Sequence, residues 1–115
     1  MPDHFYAVLQ PAGVLPIGKV LAFLKRVSAN SMRRHGYQGR VWEERFYDRV
    51  IRSEEELSNA VTYIHENPVK AGLCDENSQW SWSTAHPSVL SDLDLVTIRW
   101  NVPTATSTAI WTPVV

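Results

Sequence analysis

Cysteine is nearly missing from this chain: Cys74 stands alone, so no intramolecular disulfide can form and the disulfide-stapled secreted scaffolds are excluded. No apolar run approaches the ~18 residues that a membrane-crossing helix needs, and no secretory leader pattern is visible. A reducing cytoplasm is therefore the expected compartment, with no membrane partner. An excess of one charge sign is also lacking, since the net charge is −1, and on that figure alone a polynucleotide binder would not be expected. With 115 residues and 44% hydrophobic content, the chain has material for one modest core and not for two.

The charge distribution reverses the impression given by its total. Of the 11 Lys and Arg residues, all but one lie between Lys19 and Lys70. Between Lys19 and Arg52, only Glu43, Glu44 and Asp48 oppose nine basic side chains: Lys19, Lys25, Arg26, Arg33, Arg34, Arg40, Arg45, Arg49 and Arg52. Such a block can neutralise several phosphates and bind a polynucleotide in a salt-dependent way. The competing reading is a solvated surface offset by Glu54, Glu55 and Glu56 just downstream.

Residues 3–10 alternate, with Phe5, Ala7 and Leu9 on one face and His4, Tyr6, Val8 and Gln10 on the other. That is the period of a strand, and it sets His4 beside Tyr6. Pro11, Gly13 and Pro16 break the chain, and Ile17, Val20, Leu21, Leu24 and Val27 then recur at helical spacing toward Gly36. Lys25, Arg26, Arg33 and Arg34 fall in the helix's C-terminal half, where cations suit the macrodipole. Gly36 and Gly39 mark a loop, beyond which Val41-Trp42 and Phe46 to Ile51 read as extended. Ser53-Glu54-Glu55-Glu56 fits a capping box ahead of Leu57, Val61 and Ile64. The spacing predicts a helix from about residue 54 to 66 that Pro68 ends. Residues 93–100 alternate weakly as a further strand, and the last fifteen carry no site signal.

Tyr63 and Asn67 are four apart on the capped helix and share a face. Taken by itself, one tyrosine on a helix is half-buried packing with a wet hydroxyl. The sequence around it gives it another reading. "MPDHFYAVL", "GRVWEERFYDRVIRSEEEL", "YIHENPVKAGL" and "WSWSTAH" resemble, in order and spacing, successive blocks of the REP-associated tyrosine transposases, within the single-tyrosine HUH transposases of small insertion sequences. The resemblance spans residues 1–86, and residues 87–115 have no counterpart in it.

The resemblance implies an α+β fold, an antiparallel sheet with packed helices. It implies a transposase-like function: binding single-stranded hairpin or repeat DNA, then cleaving and rejoining strands through a phosphotyrosine intermediate. In such proteins two histidines of a His-hydrophobic-His motif on a central strand hold a divalent metal, and residues i and i+2 converge because they point to one side. Carried over, Tyr63 matches the nucleophile, His4 the first ligand and Asn67 the third, with Mg²⁺ or Mn²⁺ as the metal suited to such ligands. A phenol with a pKa near ~10 needs such help. Arg33, Arg34, Arg40, Arg49, Arg52 and Lys70 are the expected phosphate contacts.

Two features depart from the pattern. Tyr6 occupies the second-histidine position, and a neutral phenol is a much poorer ligand than imidazole. Relatives also carry a strand and a helix before the Met-Pro-Asp block, so the resemblance implies a domain incomplete at its N-terminus, with an unpaired edge beside the metal strand. A catalytically inactive DNA-binding remnant is the alternative function. Trp42, Phe46, Trp80 and Trp82 suit either base stacking or core packing, and His35, His65 and His86 have no ligand-like spacing.

Overall fold

A strand, β1 (His4–Leu9), opens the fold where the alternation predicts one, and a long helix, α1 (Ile17–Arg34), follows it. Next come a second strand, β2 (Tyr47–Ile51), a second long helix, α2 (Glu54–Lys70), a short 3-10 turn at Asn77–Gln79 and a third strand, β3 (Ser107–Pro113). The computed structural model describes residues 1–10, 14–89 and 107–113, the last by their backbone. The extended reading of residues 93–100 lies outside the described residues.

The class is α+β, as expected, and the sheet is antiparallel with strand order β1-β3-β2. β3 comes from the segment for which the sequence offered no reading, yet it lies at the centre of the sheet. Its registers pair Tyr6 with Trp111 on one side and Tyr47 with the same residue on the other. β1 consequently stands at an edge of the three described strands, whereas the family pattern implies a central position for the His4 strand.

Both long helices end by the same device. In α1, the Tyr37 N–H reaches back to the Met32 carbonyl and the Gly36 N–H to Arg33, with Gly36 at φ 90°. In α2, Leu73 reaches Pro68 and Gly72 reaches Val69, with Gly72 at φ 71°. These are Schellman closures, in which a glycine takes the left-handed residue that other side chains resist. The predicted stop at Pro68 is therefore corrected, since α2 runs through Pro68 to Lys70. A proline costs its own amide bond and crowds the carbonyl four residues before it, but it does not forbid the turns that follow. Here the ring is buried beside Trp80, so packing and the glycine closure carry the last turn.

The N-terminus of α2 is capped as predicted, with the Glu56 N–H donating to Ser53 Oγ at 3.1 Å. The reciprocal arm is displaced by one residue: Glu56 Oε2 accepts from the Arg52 amide at 2.8 Å rather than from Ser53. α1 is held chiefly by the loop before β2. Lys25 Nζ donates to the Glu43 and Arg45 carbonyls, and Trp42 Nε1 donates to Ser28 Oγ at 2.9 Å. Phe5 meets Trp42 edge to face, with ring centroids 5.4 Å apart. Trp42 is thus a packing residue that ties β1 to α1. Besides Pro68, buried apolar side chains are few: Leu21, Ala29, Val41 and Ile51 among the described residues. No helix among those residues is long and apolar enough to cross a membrane.

Candidate active site

β1 and α2 face each other through tyrosines. His4 and Tyr6 lie on the same side of β1, as period two requires, with ring centroids 4.9 Å apart. From the opposing helix, Tyr63 brings its ring to 5.6 Å from that of Tyr6, and the hydroxyl oxygens are 3.4 Å apart. That is long for a bond between hydroxyls, which centres near ~2.7–2.8 Å. Asn67, one turn along α2, donates from Nδ2 to the Tyr63 carbonyl at 3.2 Å. His4, Tyr6, Tyr63 and Asn67, singled out from the sequence, therefore stand in one cluster.

The two phenols are not equivalent. Tyr6 is partly buried, and loss of solvent together with the neighbouring Tyr63 pushes its pKa up to about 12. Tyr63 is 50% exposed. Hydrogen bonds from Tyr6 and Asn67 pull its pKa below the usual tyrosine value, helped by the Lys70 ammonium. Either hydroxyl can donate at this distance. Tyr6, the less solvated of the two, is the phenol that burial favours in its protonated form. The arrangement with Tyr6 donating and the Tyr63 oxygen accepting is therefore the one that loss of solvent supports. Lys70 sits 5.7 Å from the Tyr63 ring centroid and is also paired with Glu66 at 2.8 Å.

His4 is oriented by its neighbour, with Nδ1 2.6 Å from Asp3 Oδ1. A carboxylate can only accept, so in the neutral ring Nδ1 carries the proton and Nε2 the lone pair. That orientation suits a ligand, but the remaining donors do not complete a site. Tyr6 would have to release a proton held to about 12, and Asn67 turns its amide nitrogen to a backbone carbonyl. Among the described residues no group of three His, Cys, Asp or Glu side chains could hold a metal ion. The set of His4, Tyr6 and Asn67 does not fit Mg²⁺ or Mn²⁺ as it stands.

The expected phosphate contacts fall into two groups. Arg33, Arg34 and Arg52 are exposed and in no ion pair among the described residues, although Arg33 donates to Asn30. Arg40 pairs with Glu44 at 3.1 Å, Arg49 with Glu56 at 3.7 Å and Lys70 with Glu66. Their charge is already offset by neighbouring carboxylates, Glu44 and Glu56 among them, as the competing solvated-surface reading expects.

Sequence reasoning missed the role of the 80–86 segment. His65, given no role, bonds through Nε2 to Thr84 Oγ1 at 2.8 Å and so ties α2 to this segment. Between them lies a cavity lined by Tyr6, Ile64, Pro68, Trp80, Trp82 and Thr84, among others. The alternating Trp-Ser-Trp pattern was the available signal, and it left open what the rings cover.

Comparison with known proteins gives two informative matches. The chain is 27% identical over 104 residues to a protein of Haemophilus influenzae assigned as a REP-associated tyrosine transposase, covering 81% of this chain and 59% of the relative. It is 38% identical over 53 residues to the REP-associated tyrosine transposase of Escherichia coli, covering 46% of this chain and 32% of that protein. The chain thus spans about three fifths of the first and a third of the second. No family model and no solved structure matches it.

Proposed function

From the premise that this chain belongs with the REP-associated tyrosine transposases, we propose that it engages single-stranded DNA and that Tyr63 attacks a backbone phosphorus. The fold this reading assumes is an HUH-type α+β domain. In the step, a bond forms between the Tyr63 oxygen and phosphorus, and the phosphorus–O3′ bond breaks. The Tyr63 proton is lost as the departing 3′ oxygen gains one, leaving a 5′-phosphotyrosine and a free 3′-OH. Attack by that or another 3′-OH reverses the exchange and rejoins strands without a nucleotide cofactor.

The observation that carries this reading is the tyrosine pair. Tyr63 presents an exposed hydroxyl whose anion is favoured, and Tyr6, less exposed and slow to ionise, donates to it. Tyr6 thereby occupies the position the family pattern gives to a ligand histidine, in a different part: that of a hydrogen-bond donor. Arg33, Arg34 and Arg52, in no ion pair among the described residues, supply positive charge to the DNA backbone, and Arg40, Arg49 and Lys70 supply the remainder from within ion pairs.

The test is incubation with labelled single-stranded oligonucleotides that carry hairpins, with and without Mn²⁺, followed by denaturing electrophoresis. An adduct lost in Tyr63→Phe is the expected result. Absence of any adduct, with DNA binding retained in wild type and in Tyr63→Phe, would sink the cleavage reading. A second reading would then stand, favoured by the incomplete metal-donor set: a catalytically inactive protein that still grips structured single strands.

A further inference from the structure

Attack by the Tyr63 oxygen on a singly charged phosphodiester carries the transition state toward two negative charges around phosphorus, and catalysis needs positive charge placed to meet them. A divalent metal is one source, but the donors here do not build its site. His4 brings one imidazole, Tyr6 stands where a second would be, and the Asn67 amide nitrogen is turned to a backbone carbonyl. The positive charge beside Tyr63 comes instead from its own helix. Lys70 lies seven residues on, two turns along the same face of α2, with Nζ 5.7 Å from the Tyr63 ring centroid. Its field favours the Tyr63 anion. Glu66, one turn before Lys70, holds that ammonium at 2.8 Å.

The Glu66–Lys70 pair lies on an exposed helix surface, where such pairs are weak, so a phosphate can take the ammonium from the carboxylate. A phosphorus poised for attack stands ~3–3.5 Å from the nucleophile, and the flexible lysine stem lets Nζ swing to its non-bridging oxygens. We infer that Lys70 leaves Glu66 for the phosphate under attack by Tyr63 and supplies there the positive charge that the incomplete donor set does not. The inference rests on the cleavage reading above and adds a catalytic cation to it, with Glu66 as its holder in the absence of DNA. Lys70 makes and breaks no covalent bond and keeps its proton. The exchange at phosphorus is the one already given, with the Tyr63 oxygen entering and O3′ leaving.

A kinetic and a binding measurement test it. In single-turnover assays with saturating hairpin oligonucleotide, Lys70→Ala should slow the Tyr63-dependent adduct by roughly 10- to 100-fold. That is less than the ~10²–10³ lost with an enclosed oxyanion donor, because the Lys70 side chain is 59% exposed. Lys70→Arg keeps the charge and should recover most of the rate, and the wild-type adduct should form in EDTA. Binding is measured in Tyr63→Phe, which cannot react, combined with Glu66→Gln so that this carboxylate no longer competes for the ammonium. One neutral methylphosphonate linkage at a time is moved through the unpaired flank of the oligonucleotide. At the linkage where the adduct maps, affinity should fall about 10-fold, and adding Lys70→Ala should erase that fall. An adduct that requires Mn²⁺ and forms as fast in Lys70→Ala overturns the inference, and so does a methylphosphonate loss that survives Lys70→Ala. If one linkage responds to Lys70→Ala but no adduct forms, only cleavage fails. If the adduct forms and neither measurement responds to Lys70→Ala, only the role of Lys70 fails. Failure to bind any oligonucleotide overturns both.

Discussion

The ion pairs fix how steeply DNA binding should fall with salt. Each phosphate neutralised on a single strand contributes about −0.7 to the slope of log K against log salt. If all six expected contacts, Arg33, Arg34, Arg40, Arg49, Arg52 and Lys70, acted fully, the slope would be about −4. Affinity would then drop roughly 300-fold from 50 to 200 mM salt. The structure leaves Arg33, Arg34 and Arg52 without an ion pair among the described residues and pairs the other three with Glu44, Glu56 and Glu66. Exposed pairs of this kind are worth only ~0–1 kcal/mol, so phosphate can displace the carboxylate from its cation. The displaced carboxylate nevertheless stays within a side chain's length and repels the same phosphate, cancelling most of the gain. The expected slope is therefore about −2, a fall of roughly 20-fold over that salt range. Fluorescence anisotropy with a labelled hairpin oligonucleotide at four or five salt concentrations measures it. Glu44→Gln, Glu56→Gln and Glu66→Gln should each steepen the slope, by up to about 0.7. A wild-type slope near −4, unmoved by these variants, would refute the argument that paired cations are withheld. A slope near zero would refute phosphate contact by this face.

Tyr6→Phe removes the largest contribution that lowers the Tyr63 pKa. The pH at which the phenolate forms should move up, and the pH–rate profile of adduct formation should follow it; an unmoved profile would deny Tyr6 its donor role. Tyr6 itself ionises at about 12 in the fold and near 10 when exposed. It therefore favours the folded state less as pH rises from about 10 toward 12, and in an alkaline melt that loss should disappear in Tyr6→Phe. Tyr6→His restores an imidazole two residues from His4, and Mn²⁺ binding followed by electron paramagnetic resonance should appear or tighten by at least about 10-fold; equal affinity in both proteins would mean that Tyr6 already serves as a ligand. Ser53→Ala deletes the bond to the Glu56 amide and should cost about 1 kcal/mol. In a chain of this size that is a few degrees in Tm, and no shift would mean that Glu56 alone caps α2.

Local rules made the elements legible because their causes are local. The alternation from His4 to Leu9, the apolar spacing from Ile17 and the Ser53 cap all act within a few residues, and β1, α1 and α2 begin where those signals lie. Pro68 was misread because proline's missing bond is a local cost, whereas the ring's burial beside Trp80 comes from residues twelve positions onward. β3 was illegible for a similar reason. A central strand paired on both sides gains from partners distant in sequence, β1 and β2, and residues 107–113 show no alternation strong enough to declare it. The counted basic block was misleading in a different way, since a sum of charges does not say which cations are paired: within it Arg40 meets Glu44 and Arg49 meets Glu56.

The site shows most clearly what spacing can and cannot deliver. Period two places residues 4 and 6 on one side whatever they are, and helical period places Tyr63 and Asn67 on one face. The cluster's membership was thus readable from positions alone. Its chemistry depends on identity. Imidazole at position 6 would present a lone pair to a cation at neutral pH. The phenol present there holds its proton to about 12 and turns it toward Tyr63, 3.4 Å away. The geometry that would deliver a ligand therefore delivers a hydrogen-bond donor to the candidate nucleophile. A donor to the phenolate makes the anion easier to form and also less nucleophilic, whereas a metal on the phosphate would activate the electrophile as well. Replacing one by the other without any other change should slow attack, which is why the absence of an adduct in Tyr6 protein and its appearance in Tyr6→His with Mn²⁺ would locate the lost activity at this one position.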